Sequence, residues 1–448
     1  MHQLHAGAPA AQAAETLERK LRDRTATLAV IGLGYVGLPV AVERAKLGYN
    51  VIGYDVNAIR VAQLNQGLNY IRNVSDDDVA AVVGAHRLSA STDYSSLDRC
   101  DAIVICLPTP LTASKEPDVS HVRAAAELIA ARLRVGQLIC MEGVTYPGAT
   151  EDVLLPALNA TGLTVGRDFF VAASPERVDP GNTRYTAQNT AKVVAGVTPA
   201  CLEVARALYE QTVTEITVAR SPRVAEMTRV VEDAFRAVNI AFMNEMALLA
   251  DRIGVSIWDV LDATATKPFG MMRFNPGPGV GGPCVPLDPF YIAWVGKQHD
   301  FAARLTQTAG ELNASMPRFV RDKVVRALET RGVALKQAQL LAIGVAYKKD
   351  IAEWRYSPAV DVIELLEAEG ASVSYFDPHI PSFKNESGKL RHSVPLTVEA
   401  LRAADCVLIL TDHSDIDWPR VVQNARLVVD TRNATKQLAD RGDKVILL

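Results

Sequence analysis

Residues 27–55 read TLAVIGLGYVGLPVAVERAKLGYNVIGYD, and this stretch decides the fold of the first part of the chain. Its apolar start, residues 28–31, predicts a buried strand that runs into a turn and then into a helical pattern. The turn carries three glycines at the spacing G-x-G-x-x-G, namely Gly32, Gly34 and Gly37. Glycines at this spacing allow a tight turn and let a pyrophosphate approach the helix N-terminus. The stretch therefore predicts a dinucleotide-binding turn.

The second strand of the stretch, residues 50–54, indicates which dinucleotide binds. It ends in Asp55, 18 residues after Gly37, close to the spacing expected for an acid that bonds the ribose hydroxyls. A carboxylate at that place repels a 2′-phosphate, so NAD is favoured over NADP. We expect further cofactor contacts from Tyr35, Val36 and Arg60. The alternative, an α/β turn without a cofactor, is disfavoured because strand, glycines, helix and acid occur together.

Polar residues follow or end three further apolar segments, 102–107, 138–142 and 169–173, which continue the alternation of strands and helices. These residues are Thr109, Glu142 and Glu176. Ligands of open α/β sheets bind beyond the carboxyl ends of the strands. Any one of the three could be an ordinary turn or cap residue. Three of them at one edge favour a site, and Thr109 and Glu142 are expected beside the cofactor.

Residues 221–254 form one long helical pattern with two different faces. Seven apolar positions are expected to bury most of its circumference: Met227, Val230, Val231, Ala234, Phe235, Val238 and Phe242. Charged residues recur on the remaining stripe at steps of three and four: Glu226, Arg229, Asp233 and Arg236. This stripe is either a solvated face with ion pairs one turn apart or the contact of the helix with a polar site. The sequence leaves both interpretations open.

One cysteine stands in a loop that is dominated by glycine and proline. Residues 274–289 read FNPGPGVGGPCVPLDP and contain Cys284. Glycine allows backbone angles and close approaches that a side chain forbids, and proline limits the disorder of such a run. We therefore expect the Cys284 thiol to be presented as a nucleophile. The six cysteines have no regular spacing and the eight histidines form no ligand cluster with them, so we predict neither a disulfide framework nor a metal site.

The alternation of strands and helices starts again after residue 339. Segment 340–343 is followed by Gly344, segment 373–376 is followed by Asp377, and DCVLILTDH (405–413) is similar to DAIVICLPT (101–109). This pattern predicts a second nucleotide-fold-like domain that lacks the glycine fingerprint. Its turn carries Lys348 and Lys349 instead, which suggests a phosphate-bearing ligand held by charge, although solvated lysines give the same pattern.

Composition excludes several classes of protein. A chain of 448 residues with 49% hydrophobic and 22% charged residues predicts a globular protein of two or three domains. A net charge of −4 gives no basic surface for nucleic acid. Residues 1–26 predict a short disordered start and a polar helix without a signal peptide, and no segment reaches the roughly 20 apolar residues that span a membrane. We expect a reducing, cytoplasmic location, no nucleic-acid partner and no membrane insertion.

Seven motifs together resemble the UDP-glucose/GDP-mannose dehydrogenase family, and within it the UDP-N-acetyl-D-glucosamine (UDP-N-acetylhexosamine) 6-dehydrogenases. They are GLGYVGLP (32–39), PTP (108–110), SPERVDPGN (174–182), FRAVNIAFMNE (235–245), ATKPFG (265–270), PGPGVGGPCVPLDPFY (276–291) and GVAYKKDI (344–351). The resemblance implies an α/β fold of two Rossmann-like doubly wound domains joined by a central helical domain with one long helix. It implies an N-terminal extension (1–26), an NAD-binding domain (27–220), a central domain with the cysteine loop (221–317) and a UDP-sugar-binding domain (318–448).

The resemblance also implies a reaction and its residues. The reaction is a four-electron oxidation with two NAD, which turns the C6 alcohol of a UDP-sugar into a carboxylate for polysaccharide biosynthesis. Cys284 would capture the aldehyde, Glu176 would be the base or water activator, and Asp288 would order the hydrolytic water. Arg229 and Asp233 complete the catalytic set. The implied substrate contacts are Arg177, Arg236, Asn239, Phe274, Gly281, Lys348 and Arg432, the last two as anchors of the UDP moiety. A homodimer or larger homo-oligomer is implied as well.

The sequence departs from the family pattern near the reacting groups. Arg229 and Asp233 stand where the family has lysine and asparagine, and Val144 stands where it has threonine. Arginine stays charged and cannot exchange protons as lysine does, but it can stabilise an oxyanion while Asp233 fixes its orientation. Three functions stay open: oxidation of UDP-GlcNAc, which the motifs favour; oxidation of UDP-glucose or UDP-ManNAc; and binding of NAD and a UDP-sugar by a degenerate member with impaired turnover.

Overall fold

In the computed structural model, the described residues are 8–71, 74–179, 181–182, 184–385, 388–438 and 441–448. The predicted disordered start, residues 1–7, lies outside the described residues. The chain divides into two compact units, one of Met1–Glu232 with Lys297–His299 and one of Asp233–Gly296 with Asp300–Leu448. The four-part division predicted from the sequence stays a prediction.

The first unit is built on one sheet. Its described strands are β1 (Thr27–Ile31), β2 (Asn50–Tyr54), β3 (Leu88–Ser91), β4 (Ala102–Ile105), β5 (Gln137–Met141), β6 (Phe169–Ala173), β7 (Lys192–Gly196) and β8 (Ile216–Val218). They lie in the order β3-β2-β1-β4-β5-β6-β7-β8, parallel from β3 to β6, and β7 runs antiparallel to β6. The chain thus winds outward in both directions from β1, as in a doubly wound nucleotide-binding sheet.

Helices alternate with these strands along the chain. They are α1 (Ala8–Arg22), α2 (Gly37–Lys46), α3 (Ala58–Asn65), α4 (Asp76–Gly84), α5 (Ser120–Ala130), α6 (Leu155–Asn159) and α7 (Pro199–Tyr209). Along β1, Leu28 and Val30 belong to one apolar cluster, Ala29 and Ile31 belong to another, and all four are buried. Both faces of the sheet are therefore covered, as a parallel sheet requires.

The N-terminal helix α1 is amphipathic, which corrects the prediction of a polar helix. Leu17 and Leu21 are buried in the core of the first unit. The hydroxyl of Tyr49 donates a hydrogen bond to the Leu21 carbonyl oxygen at 2.5 Å. The two leucines lie four residues apart and so share one face of the helix, while the charged residues of α1 lie elsewhere on its surface.

The second unit contains a smaller parallel sheet. Its described strands are β9 (Gln339–Ile343), β10 (Ser372–Phe376), β13 (Cys406–Ile409), β14 (Val428–Asp430) and β15 (Val445–Leu447), with a separate antiparallel pair of β11 (Ser382–Lys384) and β12 (Leu390–His392). The parallel strands lie in the order β10-β9-β13-β14-β15. The helices are α9 (Ile257–Thr264), α10 (Asp288–Gln298), α11 (Arg304–Glu329), α12 (Pro358–Ala368), α13 (Val398–Ala403) and α14 (Trp418–Asn424), while α8 (Pro222–Ile253) begins in the first unit and ends in the second.

Both sheets are parallel or mostly parallel and alternate with helices along the chain, which confirms the predicted α/β class and the prediction of a second nucleotide-fold-like sheet. In each sheet the first strand along the chain, β1 or β9, is followed by a glycine with φ of +90°, Gly32 or Gly344. Glycine adopts this backbone angle without the steric cost that other residues incur. Among the described helices, none combines the length and the apolar run that crossing a bilayer needs.

Helix α8 exposes much of the face that was predicted to be buried. The prediction is wrong for four apolar positions that are about half exposed: Met227, Val231, Phe235 and Phe242. Three charged residues of the other stripe are buried instead: Glu226, Arg229 and Asp233. A charged group loses hydration on burial and needs compensating contacts inside the protein. The interpretation of a solvated face is therefore wrong for these three residues.

Candidate active site

The turn after β1 leaves no room for side chains at two of its three glycines. A Cβ on Gly32 would lie 2.7 Å from the carbonyl oxygen of Cys106, and a Cβ on Gly37 would overlap the carbonyl oxygen of Gly32. A Cβ on Gly34 would meet nothing within 4 Å. Gly34 therefore borders open space. It lies three residues before Gly37, where helix α2 begins. Tyr35 and Val36 link the two. This bare backbone at a helix N-terminus suits a pyrophosphate.

Asp55 is fixed against the same turn at the end of β2. Its Oδ2 accepts a hydrogen bond from the Leu33 N–H at 2.9 Å, and its Oδ1 accepts one from the Asn57 N–H at 2.8 Å. The Arg60 Nη1 lies 3.6 Å from Oδ2. The carboxylate thus stands where this type of sheet bonds the ribose of a dinucleotide. The glycine turn and Asp55 together fit NAD. Thr109, after β4, is buried.

Two predicted carboxylates, Glu142 and Glu176, are joined by a buried lysine. Because β7 runs antiparallel to β6, its first residue, Lys192, lies at the edge where β5 and β6 end. The Lys192 Nζ donates to Glu142 at 2.6 Å and to Glu176 at 2.9 Å. The other oxygen of Glu142 accepts from Arg44 at 3.1 Å and from the Tyr209 hydroxyl at 3.2 Å. Charges of alternating sign satisfy each other in this buried network.

Glu176 is held in its ionised form by this network. Burial alone would raise its pKa, but the positive charge of Lys192 and its hydrogen bond outweigh burial and keep the pKa below the ordinary value. The backbone N–H groups of Arg177 and Val178 both donate to Oε1 at 2.9 Å and act in the same direction. An ionised carboxylate can accept a proton, so this geometry suits a general base.

Two residues at the start of helix α8, Glu226 and Glu232, contact other residues of the first unit. Glu226 accepts from the Gly148 N–H at 2.6 Å and from the Thr150 N–H and hydroxyl at 2.9 and 2.6 Å. Burial raises the pKa of Glu226 to about 7. Arg177 forms an ion pair with Glu232 at 2.6 Å. The first unit thus contains the predicted base Glu176, the adjacent predicted substrate contact Arg177, and Arg229, which is buried about one turn of α8 after Glu226.

Cys284 is the most accessible cysteine. All six cysteines are described residues, and the other five are buried while Cys284 has intermediate exposure. Its carbonyl oxygen accepts from the N–H groups of Leu287 at 2.8 Å and Asp288 at 3.0 Å, so it lies in the turn that leads into α10. Asp288 is fully buried. Burial, and then the nearby carboxylate of Asp288, raise the pKa of Tyr291 above its ordinary value.

The glycines of the cysteine loop let it lie directly on the turn after β9. A Cβ on Gly281 would lie 2.5 Å from the Cβ of Tyr347, and a Cβ on Gly282 would lie 2.9 Å from the Tyr347 ring. A Cβ on Gly277 would lie 2.5 Å from the Arg432 guanidinium. Tyr347 precedes the predicted anchor Lys348 in the chain. The second unit therefore brings the cysteine loop next to both predicted anchors of the UDP moiety.

Two asparagines hold the base of this loop. The Asn244 Oδ1 accepts from the Gly277 N–H at 3.0 Å, and its amide donates to the Asn313 Oδ1 at 2.9 Å. Asn313, on α11, donates in turn to the Ala237 carbonyl oxygen of α8 at 3.0 Å. Both asparagines are buried. The start of the loop, at Gly277, is thus fixed to helices α8 and α11.

The remaining predicted residues of the second unit lie along α8 and at the start of the loop. The buried Asp233 forms an ion pair with Arg236 at 2.5 Å. The Asn239 side chain donates to the Phe235 carbonyl oxygen at 2.7 Å. The Phe274 ring packs edge to face on the Phe235 ring, with 5.8 Å between the ring centroids. That Asp233 orients Arg229 stays a prediction.

Several residues of these networks were not predicted from the sequence. They are Arg44, Lys192, Tyr209, Glu226 as a ligand of the Gly148 loop, and Tyr291. A lysine that directly precedes the apolar run VVAG (193–196) was the available signal for Lys192. No comparable signal marks Arg44, because a charged residue on a helix next to a sheet is usually solvated.

The chain matches three models of one family, in order. The NAD-binding-domain model of the UDP-glucose/GDP-mannose dehydrogenase family matches residues 26–213, its central-domain model matches residues 223–315, and its UDP-binding-domain model matches residues 341–437. These matches cover most of the chain and assign the glycine turn to NAD binding.

Individual relatives are similar over nearly their whole length. An NDP-N-acetyl-D-galactosaminuronic acid dehydrogenase of Ralstonia nicotianae is 35% identical over 420 residues, which cover 91% of this chain and 95% of the relative. A UDP-N-acetyl-D-glucosamine 6-dehydrogenase of Pseudomonas aeruginosa is 33% identical over 391 residues, which cover 87% and 90%. The solved structure of a UDP-D-ManNAc dehydrogenase from Pyrococcus horikoshii superposes with a TM-score of 0.83 at 29% identity and covers 94% of this chain and 98% of that one.

Proposed function

The chain belongs to the UDP-glucose/GDP-mannose dehydrogenase family, and from this premise we propose that it oxidises the C6 alcohol of UDP-N-acetyl-D-glucosamine to the uronic acid. It is an NAD-dependent nucleotide-sugar dehydrogenase of the UDP-N-acetylhexosamine type. The observation that carries the proposal is the packing of the Cys284 loop on the Lys348 turn and on Arg432. A UDP moiety held by these two cations would leave its sugar within reach of the thiol. Together with this function we propose that the chain has four parts, residues 1–26, 27–220, 221–317 and 318–448.

The proposed reaction removes two hydrides from C6, and Cys284 holds the carbon between them. Glu176 takes the C6 hydroxyl proton as the first hydride leaves. The Cys284 thiolate adds to the resulting aldehyde, and the new oxyanion regains the proton from Glu176 to give a thiohemiacetal. Loss of the second hydride, with the hydroxyl proton passing through Glu176 to solvent, gives a thioester. Water that is activated by Glu176 and ordered by Asp288 then hydrolyses the thioester to the carboxylate and the free thiol. NAD, when bound, accepts one hydride in each oxidation.

Arg229 is proposed to stabilise the oxyanions of this reaction. It is buried on α8, whereas a solvated arginine would contribute little. We expect Arg229→Lys to lower kcat about tenfold, because a buried guanidinium and an ammonium differ in shape and hydrogen bonding. Steady-state kinetics would measure this change. Arg252→Lys, at an exposed position of the same helix, is the control and should leave kcat unchanged. A higher kcat in Arg229→Lys would contradict the proposed role.

A panel of UDP-sugars tests the proposed function. The purified protein is incubated with NAD and UDP-GlcNAc, UDP-ManNAc, UDP-GalNAc or UDP-glucose, and NADH is followed. Two NADH for each sugar and the highest kcat/KM with UDP-GlcNAc are expected. A higher kcat/KM with another sugar would overturn the substrate assignment. Bound NAD without turnover of any sugar would identify a degenerate binding member.

We propose that the chain forms a homodimer through the exposed apolar face of α8. Met227, Val231, Phe235 and Phe242 lie at helical spacing and are each about half exposed. A contiguous apolar stripe of this kind marks interaction surfaces. Val231→Asp is expected to shift the mass measured by light scattering from dimer toward monomer. Glu245→Gln, at an exposed position of the same helix, should keep the dimer. A monomeric wild-type protein would contradict the proposal.

A further inference from the structure

The turn that carries Lys348 lies between two other strand ends of its sheet. β9 pairs with β10 on one side and with β13 on the other, and all three strands are parallel. Their carboxyl ends therefore meet at one edge, and the turn after β9 lies between the residues that follow β10 and β13. These residues are Asp377 and His413, and both are buried.

Asp377 binds the start of this turn. Its Oδ2 accepts from the N–H groups of Val345 and Ala346, each at 2.9 Å. Its Oδ1 accepts from the N–H groups of His379 at 2.8 Å and Ile380 at 3.0 Å. Burial alone would raise the pKa of Asp377, but the hydrogen bond from His413 and those from the amides outweigh it and keep the pKa below its ordinary value. The carboxylate is thus ionised, with both oxygens engaged.

His413 binds the end of the same turn. Its Nδ1 accepts a hydrogen bond from the Asp350 N–H at 3.0 Å, so the ring hydrogen is on Nε2, which donates to the Asp377 Oδ2 at 3.2 Å. Asp350 has φ of +61°, an uncommon value for a residue with a Cβ. Its carboxylate also accepts from the Ser414 N–H and hydroxyl, each at 2.7 Å. This unusual conformation is therefore held from both sides.

A metal site is a poorer interpretation of this cluster. Asp350, His379 and His413 each offer a ligand atom, and these atoms lie within 4.8 Å of one another. Both ring nitrogens of His413, however, are already used in hydrogen bonds, one as acceptor and one as donor. A metal ligand needs a free lone pair on the ring. The cluster is therefore a hydrogen-bond network that shapes the turn.

We propose that His413 is a positioning residue for nucleotide binding. By joining Asp350 at the end of the turn to Asp377, which holds the start, it fixes the backbone from which Lys348 meets the UDP diphosphate. Asp377 occupies the same place after its strand as Asp55 does in the first sheet. Asp55 is expected to bond a ribose, whereas Asp377 is engaged by His413 and four backbone amides. The inference rests on the proposed function, because it takes Lys348 as an anchor of UDP.

Binding of UDP to the full-length protein tests this inference. His413→Ala is expected to raise the Kd of UDP about tenfold in calorimetry, because the Asp350 N–H and the Asp377 carboxylate each lose a buried partner. The Kd of NAD should be unchanged. With substrate, KM should rise by the same factor while kcat stays within about twofold. His413→Gln keeps an N–H donor for Asp377 and should recover part of the affinity, which also provides a second variant should the alanine variant not fold.

His379→Ala is the matched control. The His379 ring lies 4.9 Å from the His413 ring but, among the described contacts, makes none to the turn, and its backbone N–H to Asp377 is kept. The Kd of UDP should therefore change by less than about twofold. If the wild type binds UDP and the His413 variants have the same Kd, this inference is wrong but the proposed function is not. The inference is also wrong if His379→Ala weakens UDP binding as much as His413→Ala does. A wild-type protein that does not bind UDP overturns the proposed function.

Discussion

Replacement of Cys284 by serine is expected to stop formation of the uronic acid and to lower kcat for the complete oxidation by at least about 10³-fold. A serine hydroxyl is a much weaker nucleophile than a thiolate, so the aldehyde is not captured and the second hydride transfer fails. NADH formed per sugar should fall from two to at most one. The aldehyde should become trappable with hydroxylamine, and mass spectrometry of the adduct would measure it.

The other five cysteines provide the control for this experiment. Because they are buried, iodoacetamide should modify one residue in the native wild-type protein, Cys284, and none in Cys284→Ser. The affinities of the variant for NAD and UDP should be unchanged, since the turns after β1 and β9 are intact. Carboxylate formed at the normal rate by Cys284→Ser would show that no covalent intermediate is needed.

Replacement of Glu176 by glutamine is expected to lower kcat by about 10²- to 10⁴-fold, the range for loss of a general base. Glutamine keeps the size of the side chain and can still accept from the N–H groups of Arg177 and Val178. It cannot take a proton from the C6 hydroxyl or from water. Steady-state kinetics with saturating NAD and UDP-sugar would measure the loss, and KM for NAD should be little changed. Activity near that of the wild type would exclude Glu176 as the base.

The pH dependence of the wild type should reflect the same carboxylate. The active form of Glu176 is ionised, and its pKa lies below the ordinary value of 4.5, so activity should persist in mild acid and be lost only as the pH falls through the lowered pKa. Lys192→Met removes the charge that lowers this pKa, and the acidic limb of the kcat profile should move to higher pH. Lys46→Met removes an exposed lysine of the first unit and should leave the limb in place. An unmoved limb in Lys192→Met would contradict this account.

The parts of the fold that depend on residues close together in the sequence could be predicted. The strand, the glycines and Asp55 of the first turn all lie within residues 27–55, and each has one steric or electrostatic reason to be there. The similarity of 340–343 and 373–376 to the first sheet could be predicted for the same reason. The Cys284 loop could be recognised because glycine and proline limit the backbone directly.

The network around Glu176 could not be predicted, since its members meet only in three dimensions. Lys192 is 50 residues from Glu142 and 16 from Glu176, and Arg44 is 98 residues from Glu142. Lys192 reaches both carboxylates because β7 reverses direction, and the sequence does not encode strand direction locally. The exposed face of α8 has a different cause: helical periodicity shows which residues share a face and leaves open what covers that face.

Tyr347 packs on Gly281 and Gly282 in the second unit. This contact links the turn that carries the proposed nucleotide anchor Lys348 to the loop that carries the proposed nucleophile Cys284. Through this contact, we expect a nucleotide bound beside Tyr347 to favour one conformation of the loop that carries Cys284. Coupling of this kind is reciprocal, so the factor by which bound UDP shifts the equilibrium for acylation of Cys284 equals the factor by which acylation shifts the affinity for UDP. Release of the finished product and regeneration of the free thiol are thus two sides of one thermodynamic cycle.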